Sequence, residues 1–382
     1  MFAVSLAMLS ASHAHSQEQV APDGREKTSP PKSVLFRDSG QRLGDSATSS
    51  VALGDLNGDG HVDAWILNWN VRNPSTVWMN DGKGIFTDSG QRLGGGSRKT
   101  VALGDLDGDG DLDAFVTSYD WRQDADQSNI IWINDGTGVY TRSPQSLGDS
   151  YSLGVALGDL DGDGDLDAWI ANGGTPQPNR VWINDGTGTY ADSGQLLGKE
   201  NSRSVALGDF DGDGDLDAWV TDAGANHVWI NDGTGRFKDS GQKLGDSNSR
   251  SIALGDLDGD GDLDAWVTNR AFEPGQAPAN HVWMNDGSGV FSRTDQSLGA
   301  GESSGVALGD FDRDGDLDAW VAERSGLNRI WINSGRGTFS ETILAPEGGT
   351  NTSVQVADLD GDGDLDAMVG NYFGPNWVWF HE

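Results

Sequence analysis

Val101-Ala-Leu-Gly-Asp-Leu-Asp-Gly-Asp-Gly-Asp-Leu-Asp-Ala-Phe-Val116 decides the fold. Seven versions of it occur, pegged by their first loop aspartates Asp55, Asp105, Asp159, Asp209, Asp256, Asp310 and Asp358, at intervals of 47 to 54 residues. A fixed period of this size marks an array of one supersecondary unit, which overrides the two or three ordinary domains that 382 residues would otherwise suggest.

Each unit offers four strand-like runs. In the fourth they are Ser204-Val-Ala-Leu-Gly208, Asp217-Ala-Trp-Val-Thr221, His227-Val-Trp-Ile230 and Arg236-Phe-Lys-Asp239, all short, apolar or aromatic, and bounded by Gly, Asn and Asp. Asn231-Asp-Gly-Thr-Gly235 joins the last two as a hairpin whose glycines supply positive φ. No segment carries a helical period of apolar residues. The seventh unit runs through Trp377-Val-Trp-Phe380 to Glu382 without its hairpin or fourth strand. The missing quarter stands at the other end: Ser33-Val-Leu-Phe-Arg-Asp-Ser-Gly-Gln-Arg-Leu-Gly44 repeats Gly84-Ile-Phe-Thr-Asp-Ser-Gly-Gln-Arg-Leu-Gly94, with the strand expected at Val34 to Arg37. The expected fold is all-β: a seven-bladed β-propeller of four-stranded blades over residues 33–382, closed by an N-terminal strand that completes the C-terminal blade. A linear solenoid would instead show atypical capping repeats.

Ahead of the ring, Phe2 to Ala11 with Ser12-His13-Ala14 reads as a signal peptide over residues 1–14 that lacks a basic start, and residues 15–32 read as a flexible linker. The apolar run is too short to span a bilayer. The expected location is secreted or cell-surface. With no cysteine, neither disulfides nor thiolate metal sites are available. The net charge of −35 sits in the loops: six carry five Asp each and the first carries three, so the remainder of the chain is nearly neutral.

The loop spacing DxDxDGxxD brings side chains at positions 1, 3 and 5 toward one point, with a turn-permitting Gly at 6, a carbonyl at 7 and Asp at 9. Such a cage of hard oxygens suits Ca²⁺, with Mg²⁺ weaker because it demands stricter octahedral geometry. The candidate metal residues are Asp55, Asn57, Asp59, His61 and Asp63 in the first loop and Asp105, Asp107, Asp109, Asp111 and Asp113 in the second. The third and fourth offer Asp159, Asp161, Asp163, Asp165, Asp167 and Asp209, Asp211, Asp213, Asp215, Asp217. The last three offer Asp256, Asp258, Asp260, Asp262, Asp264, then Asp310, Asp312, Asp314, Asp316, Asp318, then Asp358, Asp360, Asp362, Asp364, Asp366. Two unit charges about 4 Å apart repel by roughly 4 kcal/mol at an effective dielectric near 20, so such clusters call for a cation. Up to seven Ca²⁺, one per blade, are expected, with weaker binding in the first loop. Arg313, between ligands in the sixth, is expected to point outward. An EF-hand is excluded, because position 12 is Val116 rather than Glu and the flanks are strands.

These loops and the Val-Ala-Leu-Gly-Asp lead-in resemble FG-GAP or VCBS repeats, as in the propeller of integrin α subunits and in many secreted bacterial proteins. The resemblance covers residues 33–382 and implies a seven-bladed propeller with calcium in the loops between first and second strands. All seven blades fit here, whereas integrin propellers carry the motif only in some, so integrin ligand specificity is not carried over.

Strand alternation puts the acidic loops and the Asn-Asp-Gly-x-Gly hairpins on one face and the variable connections on the other. Those connections hold the candidate ligand residues Trp69, Tyr119, Trp121, Phe272, Tyr372 and Phe373, whose rings beside Asn, Asp and Arg suit sugar stacking. Tryptophans that recur at one strand position, such as Trp132, Trp182 and Trp229, read as packing between blades, and His227 and His281 fill a slot that is Arg elsewhere. No G-x-S-x-G, HExxH or Cys nucleophile occurs. The acidity argues against nucleic acid. The leading expectation is a binding or adhesion module for glycan or a surface protein on the face opposite the calcium loops. The alternative is a carbohydrate-active enzyme, lyase-like, on the same scaffold.

Overall fold

The computed structural model describes residues 34–45, 47–69, 73–94, 97–119, 128–271, 278–299, 301–325, 328–343 and 349–382. The expected leader (1–14) and linker (15–32) lie outside the described residues, as do Trp121 and Phe272.

Seven four-stranded antiparallel sheets form the ring. The closing strand β1 (Phe36–Leu43) pairs with β28 (Asn376–His381), which continues through β27 (Asp366–Asn371) to β26 (Asn351–Ala357). The seventh blade is therefore completed by the N-terminal segment, though its strand begins two residues later and runs six further than Val34 to Arg37. Arg37 and Asp38 face Phe380 and Trp379, and after a register shift Arg42 and Leu43 face Trp377 and Asn376. In blades one to five the equivalent segment gives only a three-residue strand, such as Phe86–Asp88, and a separate bridge, such as that at Leu93.

The innermost strands are β2 (Thr48–Gly54), β6 (Arg98–Gly104), β10 (Ser152–Gly158), β14 (Ser202–Gly208), β18 (Asn248–Gly255), β22 (Ser303–Gly309) and β26. The second strand of each blade, typified by β15 (Asp217–Asp222), is buried from end to end, because blades cover both of its faces. Trp65, Trp169, Trp219, Trp266 and Trp320 of these strands are fully buried, with Phe115 in the same place in blade two. Each packs into a cluster that spans two blades: Trp169, for example, joins Val205, Val220 and Trp229 of the next. The recurring tryptophans are thus packing residues, as their repetition implies.

Polar side chains set the blade spacing. The Gln of each Ser-Gly-Gln or Pro-Gln turn reaches the next blade: Gln91 Nε2 donates to the Gly138 carbonyl at 2.6 Å, and the Tyr140 N–H donates to Gln91 Oε1 at 2.9 Å. Gln41 makes the same pair with Gly84 and Phe86, at 2.5 and 2.9 Å, across the junction where the ring closes. A backbone donor and acceptor at the start of the fourth strand are satisfied together in this way in blades one to six.

Candidate functional site

In the second loop, both carboxylate oxygens of Asp105 accept backbone N–H groups, from Gly108 at 2.8 Å and Gly110 at 3.0 Å. Asp109 accepts from the Asp111 N–H at 3.0 Å. Asp113 is fully buried and accepts from Leu106 and from Asn134, the last residue of the third strand, at 3.0 and 2.7 Å. The first and ninth positions thus hold the loop in shape even without an ion. Asp107 differs: its Oδ1 is buried and has no hydrogen-bond partner, and Asp161 and Asp211 repeat this in the next two blades.

Ligand atoms of Asp105, Asp107 and Asp113 lie within 4.8 Å of one another, as do those of Asp159, Asp161 and Asp167, of Asp209, Asp211 and Asp217, of Asp256, Asp258 and Asp260, and of Asp310, Asp312 and Asp318. These clusters can hold metal ions. Burial pushes the Asp113 carboxyl up to about 7, and burial with the neighbouring Asp109 charge raises Asp107. Crowded acids with unused oxygen lone pairs are what a hard divalent cation would relieve.

The seventh position belongs to none of these five clusters. The carboxylates of Asp111, Asp165, Asp215, Asp262 and Asp316 lie instead against the hairpin glycine of their own blade, where a Cβ on Gly136 would come 2.4 Å from Asp111 Oδ2. His61 covers Gly82 in the same way in the first blade.

Each loop also grips its neighbour. Asn134 Nδ2 donates to the Leu56 carbonyl of the preceding loop at 2.9 Å, Asn184 to Leu106 at 2.8 Å, and Asn80 to Leu359 at 2.8 Å where the ring closes. The glycine at the fourth loop position sits beneath the next hairpin: a Cβ on Gly108 would be 3.1 Å from the Gly186 carbonyl. Arg313 takes that glycine's place in the sixth loop and is the sole non-glycine at positive φ, 60°, among the described residues. Its side chain is exposed and leans across to the next blade. The seventh blade takes its fourth strand from the N-terminus and has no hairpin there, and the Arg313 guanidinium instead pairs with Asp364 and lies 3.3 Å from His381 Nδ1.

On the opposite face, a β-bulge interrupts the start of the inner strands, seen as register shifts between Arg98 and Val101, Ser202 and Ser204, and Ser249 and Ser251. Bulges re-aim side chains and are common beside binding sites. In three blades the bulge holds a cation, Lys99, Arg203 or Arg250. Elsewhere it holds Ser49, Leu153, Ser304 or Thr352, and the hydroxyls bond across to the next blade, as Ser304 Oγ does to the Asn351 carbonyl at 2.7 Å.

The residue that follows the fully buried part of each second strand forms another ring: Trp69, Tyr119, Gly173, Ala223, Arg270, Arg324 and Tyr372. Three of the candidate ligand aromatics therefore share one structural position. Trp69 and Tyr119 are half-buried with ring centroids 5.4 Å apart, Tyr119 is 5.4 Å from Tyr151, and Tyr372 meets the strongly exposed Phe373 edge-on at 4.7 Å. The five cations were not singled out by the sequence pattern. Their only signal was departure from the repeat at one slot. His227 has a structural partner, Asp222 Oδ2 at 2.9 Å, which raises its pKa. Between the first blade and the closing blade, a groove of about 500 Å³ is lined by Trp78, Arg42, Arg92 and Asn68 among others.

A ring of four-stranded blades with an acidic loop after each inner strand defines a repeat β-propeller with a capacity for metal. An FG-GAP-like repeat pattern matches residues 55–116, 105–170, 159–220, 209–267 and 310–369, and the chain belongs to that family. No curated protein matches at the sequence level. Among solved structures, the chain is similar to an Agrocybe aegerita lectin that recognises non-reducing terminal N-acetylglucosamine, with 19% identity, 85% of each chain covered and a TM-score of 0.51. It is also similar to BBS1N in complex with ARL6DN, with 10% identity, 91% of this chain and 96% of that chain covered, and a TM-score of 0.62. At these identities the likeness is one of fold. The fold is that of a binding module, and among the described residues no helix is long and apolar enough to cross a membrane.

Proposed function

We propose that the protein is a secreted, calcium-stabilised propeller that binds glycan through the face opposite its acidic loops. The observation that carries the binding half is the cluster of non-repeated aromatic rings, Trp69, Tyr119, Tyr372 and Phe373, on that face of an otherwise repetitive molecule. A ligand that sees one asymmetric surface has something to read there, and half-buried rings give a sugar an apolar platform at small entropic cost. The fold likeness to a lectin supports the same choice of ligand class. A glycan array probed in calcium tests it: binding to defined saccharides is expected, and an array without hits sinks the glycan reading.

The calcium half rests on the buried, unpartnered Oδ1 atoms of Asp107, Asp161 and Asp211 beside two further carboxylates in each loop. The first, third, fifth and ninth positions would hold the ion with their side chains, and the seventh with its carbonyl. A cation bound only by the folded ring stabilises it by mass action, by about 2.7 kcal/mol per independent site at a hundredfold excess over Kd. The melting temperature is expected to rise with Ca²⁺ and fall with chelator, and a curve indifferent to both contradicts the assignment.

A further inference from the structure

We propose that the channel mouth opposite the acidic loops is a binding site for an acidic oligosaccharide, its sugar rings on the aromatic side and its carboxylate or sulfate groups on the cationic side. The proposal rests on the glycan reading above and narrows it to one place and one charge class.

The chain has 60 acidic and 25 basic residues, yet the two rings of positions around this mouth carry five cations and no acid. The cations are Lys99 in the second blade, Arg203 in the fourth, Arg250 and Arg270 in the fifth and Arg324 in the sixth. Although they come from opposite sides of the ring, the charges of Arg250, Arg203, Arg324 and Arg270 all bear on Lys99 and help burial to push its ammonium down. Arg203 and Arg270 in turn bear on Arg250. A guanidinium stays charged at neutral pH, so the repulsion is not relieved by deprotonation. Nor is it relieved by partners: the buried Nε atoms of Arg203 and Arg250 have no hydrogen-bond acceptor. Glu302 is the nearby acid, 3.1 Å from Arg270 and 3.9 Å from Arg324, and its charge also bears on Arg250 without a hydrogen bond to the Arg250 Nε. Asp222 and Glu323 beneath the mouth are engaged by His227 and Arg329 from the third strands.

The rings complete the pattern. Tyr372, Trp69, Tyr119 and Tyr151 occupy blades seven, one, two and three, while the four arginines occupy blades four to six. Lys99 links the two halves, its Nζ 5.4 Å from the Trp69 ring centre. The mouth is thus split into an aromatic half and a guanidinium half. Guanidinium groups suit the planar, paired oxygens of carboxylate and sulfate, and rings suit the apolar face of a pyranose.

The net charge of −35 does not oppose this. Inner strands of seven residues at about 3.3 Å each put the two faces more than about 20 Å apart, beyond two Debye lengths of about 8 Å at physiological salt.

The test uses the full chain in calcium, titrated with an oligogalacturonate hexamer, a heparin-derived hexasaccharide, neutral chitohexaose and linear polyphosphate. At least one acidic hexasaccharide should bind, and chitohexaose and polyphosphate should bind about tenfold more weakly or worse. The two acidic probes separate uronate from sulfate recognition. Arg203→Gln with Arg250→Gln should weaken the acidic sugar about a hundredfold, roughly tenfold per charged hydrogen-bonding group, with an unchanged or higher melting temperature. Arg92→Gln on the outer rim should leave binding intact. Equal binding of polyphosphate, or full affinity in the double variant, overturns the proposal. A neutral glycan bound equally by wild type and double variant also overturns it, while leaving the broader glycan reading in place. Absence of any glycan ligand removes both.

Discussion

The two ends of the central channel are built on opposite plans. At one end, the acidic loops repeat nearly the same hydrogen bonds, and blades one to six each reach into the preceding blade through Asn134 or its equivalent. At the other, equivalent backbone positions carry Ser, Thr, Leu, Lys, Arg, Trp, Tyr, Ala or Gly, and the buried Nε atoms of Arg203 and Arg250 lack an acceptor within the molecule. Both ends concentrate like charge, and both are therefore incomplete without counter-charge. The difference lies in repetition. A demand common to every blade is a demand of the architecture, whereas a charge placed at the bulge of three blades and withheld from the bulges of the other four serves something asymmetric.

If the acidic end is architectural, damage there should cost stability in proportion to the contacts between blades. The largest effect belongs to the closing strand. Removing residues 33–44 deletes β1, both Gln41 bonds and the Phe36 ring, which packs edge-on against Trp320 at 4.7 Å. The melting temperature should fall by about 10 °C or more, since each kcal/mol is worth roughly 2–4 °C in a chain of 150–250 residues and somewhat less here. Removing residues 1–31 should leave it unchanged, and equal melting of the two truncations contradicts closure by this strand.

Next comes the clamp between blades. Asn184 Nδ2 donates to Leu106 of one blade and Leu166 of its own, at 2.8 and 3.2 Å, in a buried site. Asn184→Ala takes the side-chain donor from the buried Leu106 carbonyl, whereas Leu166 keeps the Tyr190 hydroxyl at 2.6 Å, and should cost about 1–3 kcal/mol in chemical denaturation. The Arg203→Gln, Arg250→Gln pair at the mouth should cost nothing on the same measure. If the mouth variant proves the more destabilising, the division between architectural and functional ends is wrong.

Sequence alone made the acidic end legible and left the other dark, for a physical reason. A loop that must curl around the same geometry seven times writes the same letters seven times, so Asp, Gly and the hairpin glycines announce themselves. Lys99, Arg203 and Arg250 share only a bulge position in strands that otherwise read alike, and Arg324 meets Lys99 only after the ring has closed. The aromatics Trp69, Tyr119 and Tyr372 were visible as departures from the repeat, but not as neighbours of a cationic half. Spacing says nothing of which way the Asp111 carboxylate turns, and in the folded ring it lies against Gly136, which leaves its carbonyl as the group position seven can offer an ion. The closing strand was found but begun early, at Val34 rather than Phe36, because its register is set by β28.

Arg313 supplies a smaller test of the same division. It departs from the repeat at the architectural end, and the missing hairpin of the seventh blade accounts for it. Arg313→Gly loses the pair with Asp364 but removes a positive φ from a side-chain-bearing residue. These effects oppose each other, and the net cost should be about 1 kcal/mol or less. Sugar binding should be untouched, and a change in affinity would show that the two ends communicate.

The finest discrimination comes from protons at the mouth. The Lys99 ammonium is pushed down to about 8, first by burial and then by Arg250, Arg203, Arg324 and Arg270, with Glu302 paired to the last two and bearing on Arg250. An anion bound there favours the charged ammonium and returns its pKa toward the ordinary value near 10.4. The free form then loses its proton as pH rises through 8 while the complex keeps it, so affinity is full below pH 8 and declines above. Between pH 7 and 8.5 the acidic sugar should bind about fourfold more weakly, and calorimetry at pH 8.5 in buffers of different ionisation enthalpy should record uptake of most of one proton. Lys99→Met should abolish the uptake. An uptake that persists in this variant places the titrating group elsewhere, and one absent from the wild type places the anion away from Lys99.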